Sequence, residues 1–204
     1  MQRESKKQKI NWSILLHDIR SVQNVASIFR LSECLGVNKI YLSGITPGPL
    51  DRFGRERDDF IKISLGAEKD VFWERVEDVE RFIQEFRSGE KEFVSQSVEI
   101  STCRLFTCQG ILKEEFTKTL PSSQERPKNI VIALEQNENS VDYKQVEIDE
   151  NKRYLVIPGR EVEGLDEKLL KMCDVVAEIP QYGKKESLNI FSSLSVSLYR
   201  FFDK

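Results

Sequence analysis

Histidine and cysteine are scarce in this chain of 204 residues, which has one histidine, His17, and four cysteines, Cys34, Cys103, Cys108 and Cys173. No Cys-x-x-Cys pair occurs among them. A structural zinc site needs about four nitrogen or sulfur ligands at tight spacing, so no structural metal is expected. Thiols of this kind fit a reducing compartment better than a disulfide framework. Long apolar runs are missing too: nothing approaches the roughly 18–20 residues needed to cross a bilayer. The basic amino terminus has no signal-type apolar core behind it, because Asp18 and Arg20 interrupt the run. A cytoplasmic protein with no membrane partner is expected. Net charge is small, 31 Lys and Arg against 34 Asp and Glu, and bulk charge therefore does not announce a nucleic-acid binder. There is no internal repeat, and only the short polar piece Pro121 to Pro127 is compositionally biased.

Charge distribution says more than the sum. Residues 1–30 carry Arg3, Lys6, Lys7, Lys9, Arg20 and Arg30 against Glu4 and Asp18, and further basic residues cluster as Arg52, Arg55, Arg57 and as Lys184, Lys185. Each cluster alone reads as solvated surface, but a patch assembled in space binds phosphate through its local field.

The hydrophobic pattern alternates between buried strands and amphipathic helices. Ser13 to His17 reads as a strand. Val22, Val25, Ile28, Phe29 and Leu31 follow helical spacing after Ser21, and Gly36 is the expected stop. Lys39 to Leu42 is a second strand, and residues 50–70 read as a long charged connection. A helix is expected over Val76 to Arg87, with Val79, Phe82, Ile83 and Phe86 on one face. Residues 88–128 form an atypical stretch, with a strand near Val98 to Ile100 and a helix near Leu112 to Leu120. Further strands are Ile130 to Leu134, Tyr154 to Ile157 and Val175 to Ile179. Asp166 caps a helix to about Cys173, and Ser187 opens a final helix to about Phe202. Strands this apolar, alternating with helices, imply an α/β domain over 1–204: a parallel sheet with helices on both faces, preceded by a basic tail at 1–10 and interrupted by the 88–128 insertion.

Three short segments stand out. They are Asn24-Val25-Ala26-Ser27-Ile28-Phe29-Arg30, Gly159-Arg160-Glu161-Val162-Glu163-Gly164-Leu165, and Ile179-Pro180-Gln181-Tyr182-Gly183 followed by Ser187-Leu188-Asn189. The last two each take an apolar strand into a turn whose glycines permit close backbone approach, and then into a helix. In order and spacing the three resemble the motifs of the SpoU (TrmH-type) RNA ribose 2′-O-methyltransferases of the SPOUT superfamily. Ser64 to Glu68 and Ala133 to Gln136 are also similar. The chain departs from the family pattern at Ala26, where Gly is usual, at Arg160, where Asn or Ser is usual, and at Phe191, where a small Ser is common.

The resemblance implies a parallel α/β sheet with a C-terminal trefoil knot, a homodimer, and S-adenosylmethionine as methyl donor to a ribose of tRNA or rRNA. Knots are nearly absent among proteins, and topology rules alone would not propose one. It further implies that Leu134, Gly159, Gly164, Ile179 and Leu188 line the cofactor pocket, and that Asn24, Arg30, Glu161, Ser187 and Asn189 serve the reaction. A guanidinium is essentially always protonated in a protein, so Arg30 is read as a clamp that orients the 2′-hydroxyl rather than as a base. Read without the resemblance, Asn24 is a helix cap, Glu161 an exposed carboxylate, Arg30 a surface ion pair, and His17 a structural histidine. A strongly apolar final helix, including Leu188, Ile190, Phe191, Leu194, Leu198 and Phe201, has more than one face to bury, which agrees with a subunit interface. Two other readings stand beside the leading one: a noncatalytic RNA-binding or assembly factor that keeps the fold, and a methyltransferase acting on a base nitrogen.

Overall fold

The fold is described by a computed structural model covering residues 11–89, 129–160, 164–185 and 187–203. The basic tail, Glu161 and nearly all of the 88–128 insertion, with the strand and helix expected in it, lie outside those residues.

Seven strands form one sheet in which every pairing is parallel: β1 (Asn11–His17), β2 (Lys39–Ser43), β3 (Trp73–Val76), β4 (Asn129–Leu134), β5 (Val141–Asp142), β6 (Arg153–Pro158) and β7 (Val175–Glu178). Their spatial order is β3-β2-β1-β6-β4-β7-β5, so β6 is seated between two strands that precede it in the chain. Among the described residues the α-helices are α1 (Val22–Leu35), α2 (Asp58–Ser64), α3 (Ala67–Asp70), α4 (Val79–Ser88), α5 (Glu167–Met172) and α6 (Ile190–Phe202).

Side chains alternate across a strand, and that period of two splits the core into layers. Trp12, Ile14, Leu16, Ile40, Leu42, Ile132, Val156 and Tyr154 point to one face, where Val25, Phe29, Phe60, Ile190, Leu194, Leu198 and Phe201 from α1, α2 and α6 cover them. Leu15, Tyr41, Val131, Ala133, Leu155 and Ile157 point to the other, under Phe82, Ile83 and Phe86 of α4 and Leu169 of α5. Both faces are thus covered, which is why the central strands read as unbroken apolar runs. Trp12 anchors the first layer, stacked on Tyr154 at 4.6 Å and on Phe201 at 5.6 Å.

Several boundaries differ from the sequence reading. The stretch 50–70 contains α2 and α3, two short helices whose few apolar residues, such as Phe60 and Ala67, gave too little periodicity to show. Trp73–Val76 is a strand, and α4 begins only at Val79, because the Asp78 carboxylate accepts the Arg81 amide and caps the helix there. The last helix starts at Ile190, since Asn189 rather than Ser187 is its cap: the Asn189 side chain accepts the Phe191 amide at 2.9 Å. Elsewhere the caps agree, with Ser21 and Gly36 bounding α1 and Asp166 opening α5.

Candidate functional site

All seven strands end on the same edge of the sheet, the usual place for a ligand in an open parallel α/β fold. There an open cleft, about 100 Å³ of it enclosed, lies over the ends of β4, β6 and β7. The strands deliver Leu134, Glu135 and Gln136, then Pro158, Gly159 and Arg160, then Ala177, Glu178, Ile179 and Gln181. The approach to α6 adds Ser187, Leu188 and Ile190, and its first turn Ser193. Leu134, Gly159, Ile179, Leu188 and Ser187, singled out from the sequence, therefore meet in one cleft. Gly164 is not among the described residues that line it.

Glu135, outside the three motif segments, holds the cleft's shape. Its Oε2 accepts the Leu165 amide at 2.9 Å and its Oε1 accepts the Gln136 amide at 3.0 Å. The carboxylate fits only because two glycines face it. A Cβ on Gly159 would lie 2.2 Å from Glu135 Oε2, and one on Gly164 would lie 2.6 Å from it. Gly164 also has φ of +65°, where other residues are strained. The Gly159 and Gly164 turn is thus built around a side chain of the protein itself. Nothing local in the sequence reveals this, because the partners are 24 and 29 positions apart.

Arg160 closes the turn from the other side. Its Nε donates to the Gly164 carbonyl at 2.7 Å, and its guanidinium approaches Asp18 at 3.8 Å and Asp166 at 3.9 Å. Asp18 accepts the Ile45 amide at 3.1 Å from an unusual left-handed backbone conformation, φ 55°. The two ring nitrogens of His17 lie 2.9 Å from Ser43 Oγ and 3.3 Å from Asp18 Oδ2. A histidine engaged on both sides ties strand ends together, in keeping with the structural reading of this residue.

Asn189 joins the cleft to α1. Its side-chain NH2 donates to Asn24 Oδ1 at 3.1 Å, while its carbonyl accepts the Ser193 amide and hydroxyl. Asn24 lies inside α1, and its amide is itself capped by Ser21 Oγ at 3.2 Å. Arg30 is exposed and is not among the described residues that line the cleft. Six positions on from Asn24, it cannot share that residue's helix face, which recurs at three, four and seven positions.

The profile of the SpoU rRNA Methylase family matches residues 96–199, half of the chain, and the chain belongs to that family. Solved structures of similar fold include the AdoMet-bound rRNA methyltransferase from Sinorhizobium meliloti, 20% identical with a TM-score of 0.65, matched over 94% of this chain and 55% of that one. The SpoU methyltransferase AviRb from Streptomyces viridochromogenes is 16% identical with a TM-score of 0.66 over 96% of this chain and 60% of its own. The A. aeolicus TrmH/SpoU tRNA modifying enzyme is 18% identical with a TM-score of 0.65 over 96% and 75%. At such identities the likeness is one of fold, and the chain spans little more than half the length of the first two. A sequence comparison with curated proteins finds no match.

Proposed function

We propose that the chain is an S-adenosylmethionine-dependent methyltransferase acting in the cytosol on a ribose 2′-hydroxyl of tRNA or rRNA. One observation carries this reading: four of the five residues read as cofactor contacts, Leu134, Gly159, Ile179 and Leu188, converge with Ser187 on one cleft at the strand ends. Membership of an RNA methylase family supports it.

The lining suits this donor. Leu134, Ile179 and Leu188 offer apolar surface for a purine ring, and the bare backbone at Gly159 allows close approach of a folded ligand. S-adenosylmethionine, when bound, supplies an electrophilic methyl group on a sulfonium sulfur. The protein's remaining work is to orient the ribose oxygen, exclude water and take up the hydroxyl proton. Asn189 and Asn24, bonded to each other beside the cleft mouth, hold α6 against α1. Arg30 acts as a phosphate clamp, and Glu161 accepts hydrogen bonds from Arg30, Asn24 or the substrate. Arg30 lies off the cleft of its own chain, which favours a homodimer in which α1 and the apolar residues Val196 and Tyr199 of α6, both partly exposed, sit at the shared face. The insertion of β6 between β1 and β4 is consistent with a trefoil-knotted C-terminal half within a single domain spanning 1–204.

Incubating the chain and isotope-labelled donor with total RNA, then mapping ribose methylation, tests the reading. Labelled 2′-O-methyl groups are expected, and their loss in Arg30→Ala. Label on base nitrogens alone would overturn the ribose assignment, and donor binding without any transfer would favour a noncatalytic RNA-binding factor.

A further inference from the structure

A second concavity lies on the same edge of the sheet, over the ends of β2 and β3. Ile45, Asp51, Arg52, Phe53, Arg57 and Arg75 are among the residues that line it. Of the three guanidinium groups in it, that of Arg57 is paired with Asp59 at 2.9 Å and that of Arg75 donates to the Thr46 carbonyl at 2.7 Å; they face the one lining carboxylate, Asp51. That carboxylate is already engaged: it accepts the Phe53 and Arg55 amides at 2.8 and 2.9 Å and the Arg55 side chain at 2.9 Å.

These bonds, with the Arg57 amide to the Pro49 carbonyl at 2.9 Å and an antiparallel bridge between Leu50 and Glu56, fold the loop into a defined turn. The turn pushes apolar groups outward. Phe53 is 66% exposed and Ile45 62%. The Arg52 guanidinium lies 4.7 Å from the centre of the Phe53 ring and that of Arg55 lies 5.0 Å from it. An outward aromatic ring with guanidinium groups over it, beside a cationic groove, combines the elements that bind single-stranded nucleic acid: a π-face for a base and charge for the backbone.

We propose that the loop from Ile45 to Arg57 is a binding subsite for single-stranded RNA next to the nucleotide to be methylated, with Phe53 as the stacking platform. This rests on the methyltransferase reading of the cleft. A base on the Phe53 ring takes over the face that Arg52 covers and frees that guanidinium for the adjoining phosphate. Arg57 and Arg75 line the groove along which the strand continues. Position supports the assignment: from β2 to β4 is three strand steps, about 14 Å, and both concavities open on one edge. A few nucleotides of extended strand span that distance. The chemistry selects for an unpaired base, because a base inside a duplex has no free face to offer.

The test uses the full chain and fluorescence anisotropy with an unstructured, fluorescein-labelled RNA oligonucleotide, alongside the same sequence as a duplex. Phe53→Ala is expected to weaken single-strand binding about 5- to 150-fold. Phe53→Trp is expected to keep it, and the duplex is expected to respond little to either. Arg52→Ala is expected to lower the salt dependence by about 0.7 in the log–log slope, one phosphate contact's worth. Calorimetric affinity for S-adenosylmethionine is expected to stay at the wild-type value in all three variants. Unchanged single-strand affinity in Phe53→Ala overturns the inference, as does equal loss for single strand and duplex. A wild-type protein that binds the methyl donor but not the oligonucleotide overturns the inference alone. One that binds neither overturns the methyltransferase reading as well. A change in self-association with RNA affinity untouched would assign the loop to a protein contact instead.

Discussion

The Glu135 carboxylate fills the space in which a side chain on Gly159 would stand, with 2.2 Å separating Oε2 from the position of a Cβ. The strand ends of β4 and β6 are therefore matched as acid to glycine, and each residue sets the terms for the other. Gly159→Ala alone must swing the carboxylate, the movable end of its side chain, off the Leu165 amide, at the cost of about one hydrogen bond, roughly 0.5–1.5 kcal/mol. Glu135→Ala alone loses the bond to that amide. In the double variant the clash is gone, so Gly159→Ala is expected to cost little in the Glu135→Ala background. Urea unfolding of the four proteins checks this. Additive losses would show that the two residues do not compete for the same space.

Asn189 and Ser187 are predicted to part company. Asn189 caps α6 and holds Asn24, so Asn189→Ala is expected to destabilise the fold by about 0.5–2 kcal/mol. Ser187 is exposed and does not cap α6, so Ser187→Ala is expected to leave the unfolding midpoint in place. Equal midpoints for the two variants would contradict the cap assignment.

Among the described residues Cys34 and Cys173 are free thiols of opposite character. Burial first, then the neighbouring Asp174 carboxylate, pushes the Cys173 thiol up to about 12, and its sulfur donates to the Leu169 carbonyl. Because the folded value is raised, the stabilisation is complete below the ordinary thiol value and fades as pH climbs towards 12. At pH 8 a disulfide reagent is expected to label a variant keeping only the exposed Cys34 quickly, and one keeping only the half-buried Cys173, held as the unreactive thiol, much more slowly. Comparable labelling rates would show that the Cys173 thiol is not held protonated as described.

The Asp51 loop carries its own pH signature. The Arg55 amide, then the Phe53 amide and the Arg55 guanidinium, hold the Asp51 carboxyl below the ordinary 3.8. A depressed carboxyl contributes its bonds at neutral pH and releases them as pH falls through the lowered value. Carboxyl and amide resonances of Asp51, Phe53 and Arg55 are expected to titrate together, below 3.8. Titration of the loop at or above that value would mean that the turn is not held as described.

Legibility in the sequence follows the range of the interaction. Helix α1 was readable from end to end, because Ser21, the apolar spacing and Gly36 are all local signals. The strands around Leu155 and Ile132 were readable because a sheet covered on both faces needs unbroken apolar runs. Helices α2 and α3 were not, being too short for periodicity to build. The cleft lining was recoverable only through motif resemblance, while the pairing of Glu135 with Gly159 and Gly164 required the fold to bring distant positions together. Arg30 shows the converse, a motif residue that the fold of one chain leaves away from the cleft.

Isothermal titration of the chain with S-adenosylmethionine tests the central claim most directly. Saturable one-site binding is expected, retained in Arg30→Ala and lost in Ile179→Trp, whose larger side chain fills the cleft. No heat of binding at millimolar donor, or wild-type affinity in Ile179→Trp, would contradict it.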